Sequence, residues 1–336
     1  MRSNFLRYVV AVLFLVGCLV LGVWLGQRNV PKPVIGVLRF EGIIEFASAQ
    51  YLIEVLDTAR QDDRVAGVVL EILSPGGFAT SSESVYYSML QLRQEKPLNV
   101  YIDGYAASGG YYMAVASNQI FAPASANIGN VGARGMQPPD PSIAPLELST
   151  GPYKLFGGSR FDRIHQLELV GEAFVTSVVN QRQRSAVNPL KLSQDELAEA
   201  RLYVGSEAVA LGLIDFEGAH TDAILSAAEL AGVREYEVVN LPEFLNVPLP
   251  YGQPMVRSRG GSFEKEAQHL VATAPPDAIF LLDSRIPLGH YSDSPDVETH
   301  LLALRNVDRN PSYSSPQQSS NVSAPRFLNA LSPQGE

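Results

Sequence analysis

The chain has 336 residues, enough for one substantial core with appendages. It is 46% hydrophobic and 18% charged with a formal net charge of -10, which excludes the basic face that a nucleic-acid binder normally needs. A single cysteine, Cys18, excludes an intrachain disulfide and a cysteine-rich metal site.

Arg2 and Arg7 precede an uncharged run from Tyr8 to Gly26, which is followed by Arg28 and Lys32. Crossing a bilayer core as a helix takes ~20 such residues. A cleaved signal peptide has a shorter core and a small-residue cleavage site, and none stands out after Trp24. The expectation is one N-terminal transmembrane helix, a signal anchor over residues 1–30. Leu15-Val16-Gly17-Cys18 loosely fits a lipoprotein processing site, but Leu19-Val20-Leu21 stays apolar where a mature lipoprotein turns polar. A buried core helix fits less well, because the run is terminal and apolar all round. Charge does not orient the anchor, since both flanks are basic.

Pro31-Lys32-Pro33 forms a stiff linker. Val34 to Phe40 reads as a strand, and Tyr51 to Arg60 as a helix with Leu52, Val55 and Leu56 on one face. Val65 to Leu73 has the pattern of a strand covered on both sides, ended by the turn Ser74-Pro75-Gly76-Gly77. Then come a helix over Ser81 to Glu95, a strand over Leu98 to Ile102, a helix over Ser108 to Ser117 and a strand over Gln119 to Ala122. Leu167 to Arg184 is an amphipathic helix, and Ser193 opens another through a capping box with Glu196. Ser206 to Leu211 and Thr221 to Ala231 add two helical pieces. Past about Val239 the signal fades, leaving a helix at Phe263 to Ala272 and a strand at Ala278 to Leu282. From Asn306 onward the composition is that of a disordered tail. Strand–helix alternation with short connections implies an α/β domain with parallel pairing. The expected division is an anchor at 1–30, a catalytic domain at 34–235, a C-terminal extension at 236–305 and a tail at 306–336.

Ala107-Ser108-Gly109-Gly110-Tyr111-Tyr112 follows a strand and opens a helix. A serine there has an exposed hydroxyl beside unpaired helical N–H groups, which stabilise developing negative charge. Serine is also a common N-cap, and on this segment alone that reading leads. The Ser74–Gly77 turn ends a second strand at the same sheet edge, where open α/β sheets bind ligands. Backbone N–H groups of Gly76 and Gly109 can face each other there as two oxyanion donors; the competing reading is a plain Gly-rich turn.

A serine nucleophile needs a base. The histidines are scattered, and His165 reads as a solvated residue at a helix start. Lysines are few, and Lys154 stands out beside Leu155 and Phe156 in Gly151-Pro152-Tyr153-Lys154. An amine set among apolar groups is desolvated and accepts a proton more readily near neutrality. A plain surface lysine beside exposed aromatics is the competing reading, and on local sequence alone that reading leads.

Four segments in order carry a resemblance: Leu70 to Gly77, Ala107 to Tyr112, Gly151 to Lys154, and Gly212-Leu213-Ile214-Asp215. Together they resemble the signal peptide peptidase A (SppA) family, within the Clp-protease and crotonase fold, over roughly residues 34 to 232. The resemblance implies Ser108 as nucleophile, Lys154 as general base, and Gly76 and Gly109 as the oxyanion hole, with no metal or organic cofactor. It further implies hydrolysis of peptides, notably signal-peptide remnants, at a bacterial membrane on the extracytoplasmic side by a single-pass homo-oligomer. Two departures concern specificity and assembly: Asn130 stands where the family usually has serine, and Pro138-Pro139-Asp140-Pro141 replaces an apolar helix. Two rivals remain, an acyl-CoA enzyme of crotonase type and a catalytically silent membrane scaffold.

Overall fold

The computed structural model describes residues 2–29, 31–136, 150, 153–154, 158–248, 263–274 and 278–286. The chain divides into two compact units, Met1–Gly289 and His290–Glu336, and every described residue lies in the first. The expected Pro-rich break at 138–141 and the tail from 306 lie outside the described residues.

Helix α1 spans Arg2–Asn29. Its described side chains include Val12, Phe14, Val16 and Leu19, all exposed. Among the described residues, no helix is long and apolar enough to cross a membrane.

Strand β1 (Val34–Glu41) leads into α2 (Phe46–Gln61) and β2 (Val65–Ser74). After β3 (Gly76–Phe78) come α3 (Ala79–Glu95), β4 (Leu98–Ala107), α4 (Gly109–Ala114) and β5 (Gln119–Ala122). Two short strands follow, β6 (Asn127–Gly129) and β7 (Arg134–Gly135). Helix α5 (Arg160–Arg182), α6 (Gln194–Ala198), β8 (Leu202–Val204) and α7 (Gly205–Ala210) precede β9 (Phe216–Glu217) and α8 (His220–Leu230). The last described elements are β10 (Glu237–Asn240), α9 (Leu241–Phe244), α10 (Phe263–Thr273) and β11 (Ile279–Leu282).

The main sheet runs β10-β1-β2-β4-β5-β9, with every neighbour parallel. The expected mixed α/β architecture with a parallel sheet is therefore what the chain builds. Central β2 is covered on both faces, with Val68, Val69, Leu70 and Ile72 fully buried. Each such side chain contributes about 1.5–3 kcal/mol. Strand β6 joins the far end of β4, and β8 pairs antiparallel to β6. A second, antiparallel sheet has the order β3-β11-β7.

Three differences from the sequence reading have local causes. Helix α2 begins at Phe46, ahead of Tyr51, because the Glu45 N–H donates to Ser48 Oγ at 3.0 Å and fixes an earlier start. Helix α5 begins at Arg160, ahead of Leu167, because Ser159 and Asp162 form a capping box, the Ser159 N–H donating to Asp162 Oδ2 at 2.7 Å. The Ser74–Gly77 turn also carries a strand, since Gly76 and Gly77 pair with Leu282 and Leu281 of β11.

Strand β4 does not stop at Ile102. Its register on β2 passes from Ile72–Ile102 to Leu73–Tyr105, so Asp103 and Gly104 bulge out and the strand resumes. Gly104 takes φ +87° with open space around it, so backbone conformation alone calls for glycine. That resumption carries the chain on to Ser108.

Helix α5 is pinned to the sheet by a buried ion pair. Arg182 Nη1 and Nη2 donate to Asp215 Oδ2 and Oδ1, each at 2.9 Å. Ser185 Oγ and the Ile120 N–H complete the carboxylate, at 2.6 and 2.8 Å. Arg182 Nε also donates to the Gly212 carbonyl at 2.9 Å, leaving the guanidinium well satisfied. Asp215→Ala strands this guanidinium, so chemical denaturation is expected to show a loss of about 3–5 kcal/mol; a loss below about 1 kcal/mol, the scale of a surface pair, would contradict the assignment.

Candidate active site

Ser108 sits between the end of β4 and the start of α4 with φ 52° and ψ −118°. These angles belong to the second residue of a type II′ turn, a place normally taken by glycine. Holding a serine there costs roughly 1–3 kcal/mol, so its surroundings must enforce it. The Ser108 N–H donates to the Gly129 carbonyl of β6 at 2.8 Å, and the Ser108 carbonyl accepts from the Tyr112 N–H at 2.9 Å.

The following helix is anchored at both tyrosines. Tyr111 is fully buried and its hydroxyl donates to the Leu213 carbonyl at 2.7 Å. Burial pushes the Tyr111 phenol well above its ordinary pKa. Tyr112 lies between the rings of Tyr86 and Phe174, with centroids 4.7 and 4.5 Å away. Burial pushes its phenol up to about 12, so both tyrosines stay neutral at physiological pH.

The two turns predicted to face each other do so. A Cβ built on Gly76 would stand 2.9 Å from the Gly109 nitrogen and 1.9 Å from the Leu281 carbonyl oxygen. Gly76 also takes φ +99°, so space and backbone both demand glycine there. A Cβ on Gly109 would meet Ser82 Oγ at 2.3 Å and the Leu281 oxygen at 3.0 Å. The Gly76 N–H donates to the buried Ser74 Oγ at 3.2 Å, at the long end of the range for such bonds.

Ser108, Gly76 and Gly109 are thus brought together, and Lys154 is not joined to them by a hydrogen bond. Ser108 is fully buried and its Oγ has no hydrogen-bond partner. Lys154 is exposed on a short helical piece. His165 is exposed on α5, 3.8 Å from Glu168, as expected of a solvated histidine. Asn130 is buried with φ 56°; its Nδ2 donates to the Ala200 carbonyl at 2.7 Å and to Ser284 Oγ at 3.2 Å.

Beside the turns lies a cavity of about 570 Å³, lined by Phe46, Phe78, Tyr112, Leu169, Ile279 and Leu281 among others. Glu83 is the one ionisable carboxylate in that lining. The strand at Ala278–Leu282 was legible, but its place against Gly76 and Gly109 was not. No local signal says where a distant strand will dock.

A parallel α/β sheet that presents a strained serine beside two close-packed glycine turns defines a class of site suited to stabilising an oxyanion. Residues 91–138, which include Ser108, match Peptidase family S49. That stretch carries the chain's match to the family. The chain is 30% identical over 206 residues to "Putative protease MJ0651" of Methanocaldococcus jannaschii, covering 57% of this chain and 64% of that protein. It is 30% identical over 194 residues to "Protease 4" of Salmonella typhi, covering 54% of this chain and 31% of that protein. "Serine protease SPPA, chloroplastic" of Arabidopsis thaliana is 28% identical over 212 residues, covering 58% of this chain and 30% of that one. The chain thus spans under two thirds of each of these relatives.

Ser108→Gly removes the strain and is expected to melt higher than Ser108→Ala by a few degrees, corresponding to about 1 kcal/mol. Ser108→Val, β-branched at positive φ, is expected to melt below both. Calorimetry giving the three variants one melting temperature would contradict the strained geometry.

Proposed function

We propose that this chain is a membrane-anchored serine peptidase of the SppA type, with a Clp/crotonase-type fold and a Ser–Lys dyad. The observation that carries the reading is Ser108 held at φ 52° on the S49-matching segment, with Gly76 packed against the Gly109 nitrogen. In the proposed reaction Lys154 Nζ accepts the Ser108 Oγ proton as Oγ attacks a peptide carbonyl carbon. The N–H groups of Gly76 and Gly109 stabilise the tetrahedral oxyanion. Lys154 returns the proton to the leaving amine as the C–N bond breaks. Water then gives a proton to Lys154 as its oxygen attacks the acyl-serine carbonyl, and Lys154 passes that proton to Ser108 Oγ as the ester C–O bond breaks and the acid leaves. The largely apolar cavity supports apolar peptide side chains as substrates, signal-peptide remnants among them.

Fluorophosphonate labelling and peptide hydrolysis are expected to vanish in Ser108→Ala and to fall by at least about 100-fold in Lys154→Ala. Full hydrolysis by Ser108→Ala would overturn the reading. Because Lys154 is exposed and unbonded to Ser108, either the same chain or a neighbouring copy supplies the base. Recovered activity on mixing the two inactive variants identifies a shared site.

The uncharged sequence run from Tyr8 to Gly26 supports the anchor, its nineteen residues being close to the ~20 that a bilayer core takes. An extracytoplasmic catalytic domain follows from the SppA reading. Leu13→Arg with Leu19→Arg is expected to move the full chain from carbonate-washed membranes to the soluble fraction. Retention of the double variant in the membrane would exclude α1 as the anchor. The sealed Ser108 hydroxyl favours one second reading, a silent membrane scaffold, which predicts no labelling under any condition.

A further inference from the structure

A nucleophile must meet its carbonyl, yet Ser108 is buried and the edges of both strands flanking the site are already taken. Strand β11 lies between β3 and β7 and pairs antiparallel with each. Its Leu281 carbonyl oxygen stands against Gly76 and Gly109. The grip on this segment is largely on its main chain. The Asp283 N–H donates to the Pro75 carbonyl at 2.8 Å. Arg134 Nη1 donates to the Asp283 and Ile286 carbonyls, each at 2.9 Å, and Arg163 Nη2 to the Ala278 carbonyl at 2.8 Å. The Ser284 N–H donates to Asn130 Oδ1 at 3.2 Å, reciprocating the amide's own bond to Ser284 Oγ.

The side chains alternate as in any strand. Ile279 and Leu281 line the cavity, whereas Phe280 and Leu282 pack with Leu270 and Val271 of α10, Phe280 stacking on Phe78 at 5.3 Å. Main-chain pairing with pockets for alternate side chains is how an extended peptide adds to a sheet edge.

We propose that β11 is a resident pseudosubstrate: it fills the slot between β3 and β7 in which an extended apolar peptide binds, and it must leave before substrate reaches Ser108. As regulation of that site, the proposal rests on the reading of Ser108 as nucleophile. It accounts for the buried, unpartnered Ser108 hydroxyl and for the role of Asn130, which holds the segment in place. The substrate is one that reproduces β11, extended and apolar at alternate positions.

The test uses the full chain with Cys18→Ser, Phe78→Cys and Phe280→Cys, so that oxidation locks β11 to β3 and reduction releases it. The probe is a fluorescein-labelled synthetic peptide with the sequence of residues 278–286. The reduced protein is expected to bind it at least about tenfold more tightly than the oxidised protein, a difference of about 1.4 kcal/mol. Fluorophosphonate labelling of Ser108 should follow the same order. Arg134→Ala, which leaves the Phe78–Phe280 stack intact, is expected to bind the peptide several-fold more tightly than the unaltered chain. Equal binding by the locked and released forms, with the disulfide verified, would overturn the proposal whatever the hydrolysis. Gated binding without labelling in either form would uphold β11 as the occupant and remove Ser108 as nucleophile.

Discussion

The site depends on one backbone conformation that serine does not adopt willingly. With φ 52° and ψ −118°, Ser108 turns the chain from strand to helix within a single residue. Its N–H is held by β6, and the following helix by Leu213 and the aromatic neighbours of Tyr112. Relaxing any of these lets the turn escape to an easier conformation and re-aims the hydroxyl. Much of the packing around the parallel sheet can be read as the means of holding this one residue.

Glycine fits the same logic of close approach. Gly76 and Gly109 stand where backbone from two strand ends and from β11 converges, leaving no room for a methyl group. Gly110 shows the same crowding against the end of β2, where a Cβ would meet the Ser74 carbonyl oxygen at 2.8 Å. This crowding brings main-chain donors near one another without any side chain between them. It also makes the site receptive to a strand, because a strand presents carbonyls at that spacing.

Much of the main sheet was legible because its strands are apolar runs bounded by turn residues, as β2 and β5 show. The Ser193 capping box was read correctly, with the Glu196 N–H donating to Ser193 Oγ at 3.2 Å. The Ser159–Asp162 box carries the same signal and starts α5 two turns ahead of the Leu167 that hydrophobic periodicity alone marks. Of the site, Gly76 and Gly109 were legible as turns at one sheet edge. The exposure of Lys154 agrees with the surface-lysine reading of its local sequence, whereas the sealing of Ser108 was not legible, since burial is decided by what packs on from far along the chain. β11 is separated from β3 by some two hundred residues, and a short apolar strand carries no address.

The bulge in β4 has an arithmetic consequence. Asp103 and Gly104 are two extra residues, and side chains in a strand alternate with a period of two. Val100, Ile102 and Ala106 therefore stay in one core cluster on either side of the interruption. One extra residue would have inverted every side chain beyond it and presented Ser108 to the opposite face of the sheet. None would have kept the face and carried the serine about 7 Å further along β2, two strand residues beyond its present register. The interruption thus acts as a spacer of even parity, setting how far the nucleophile reaches without altering which way it points.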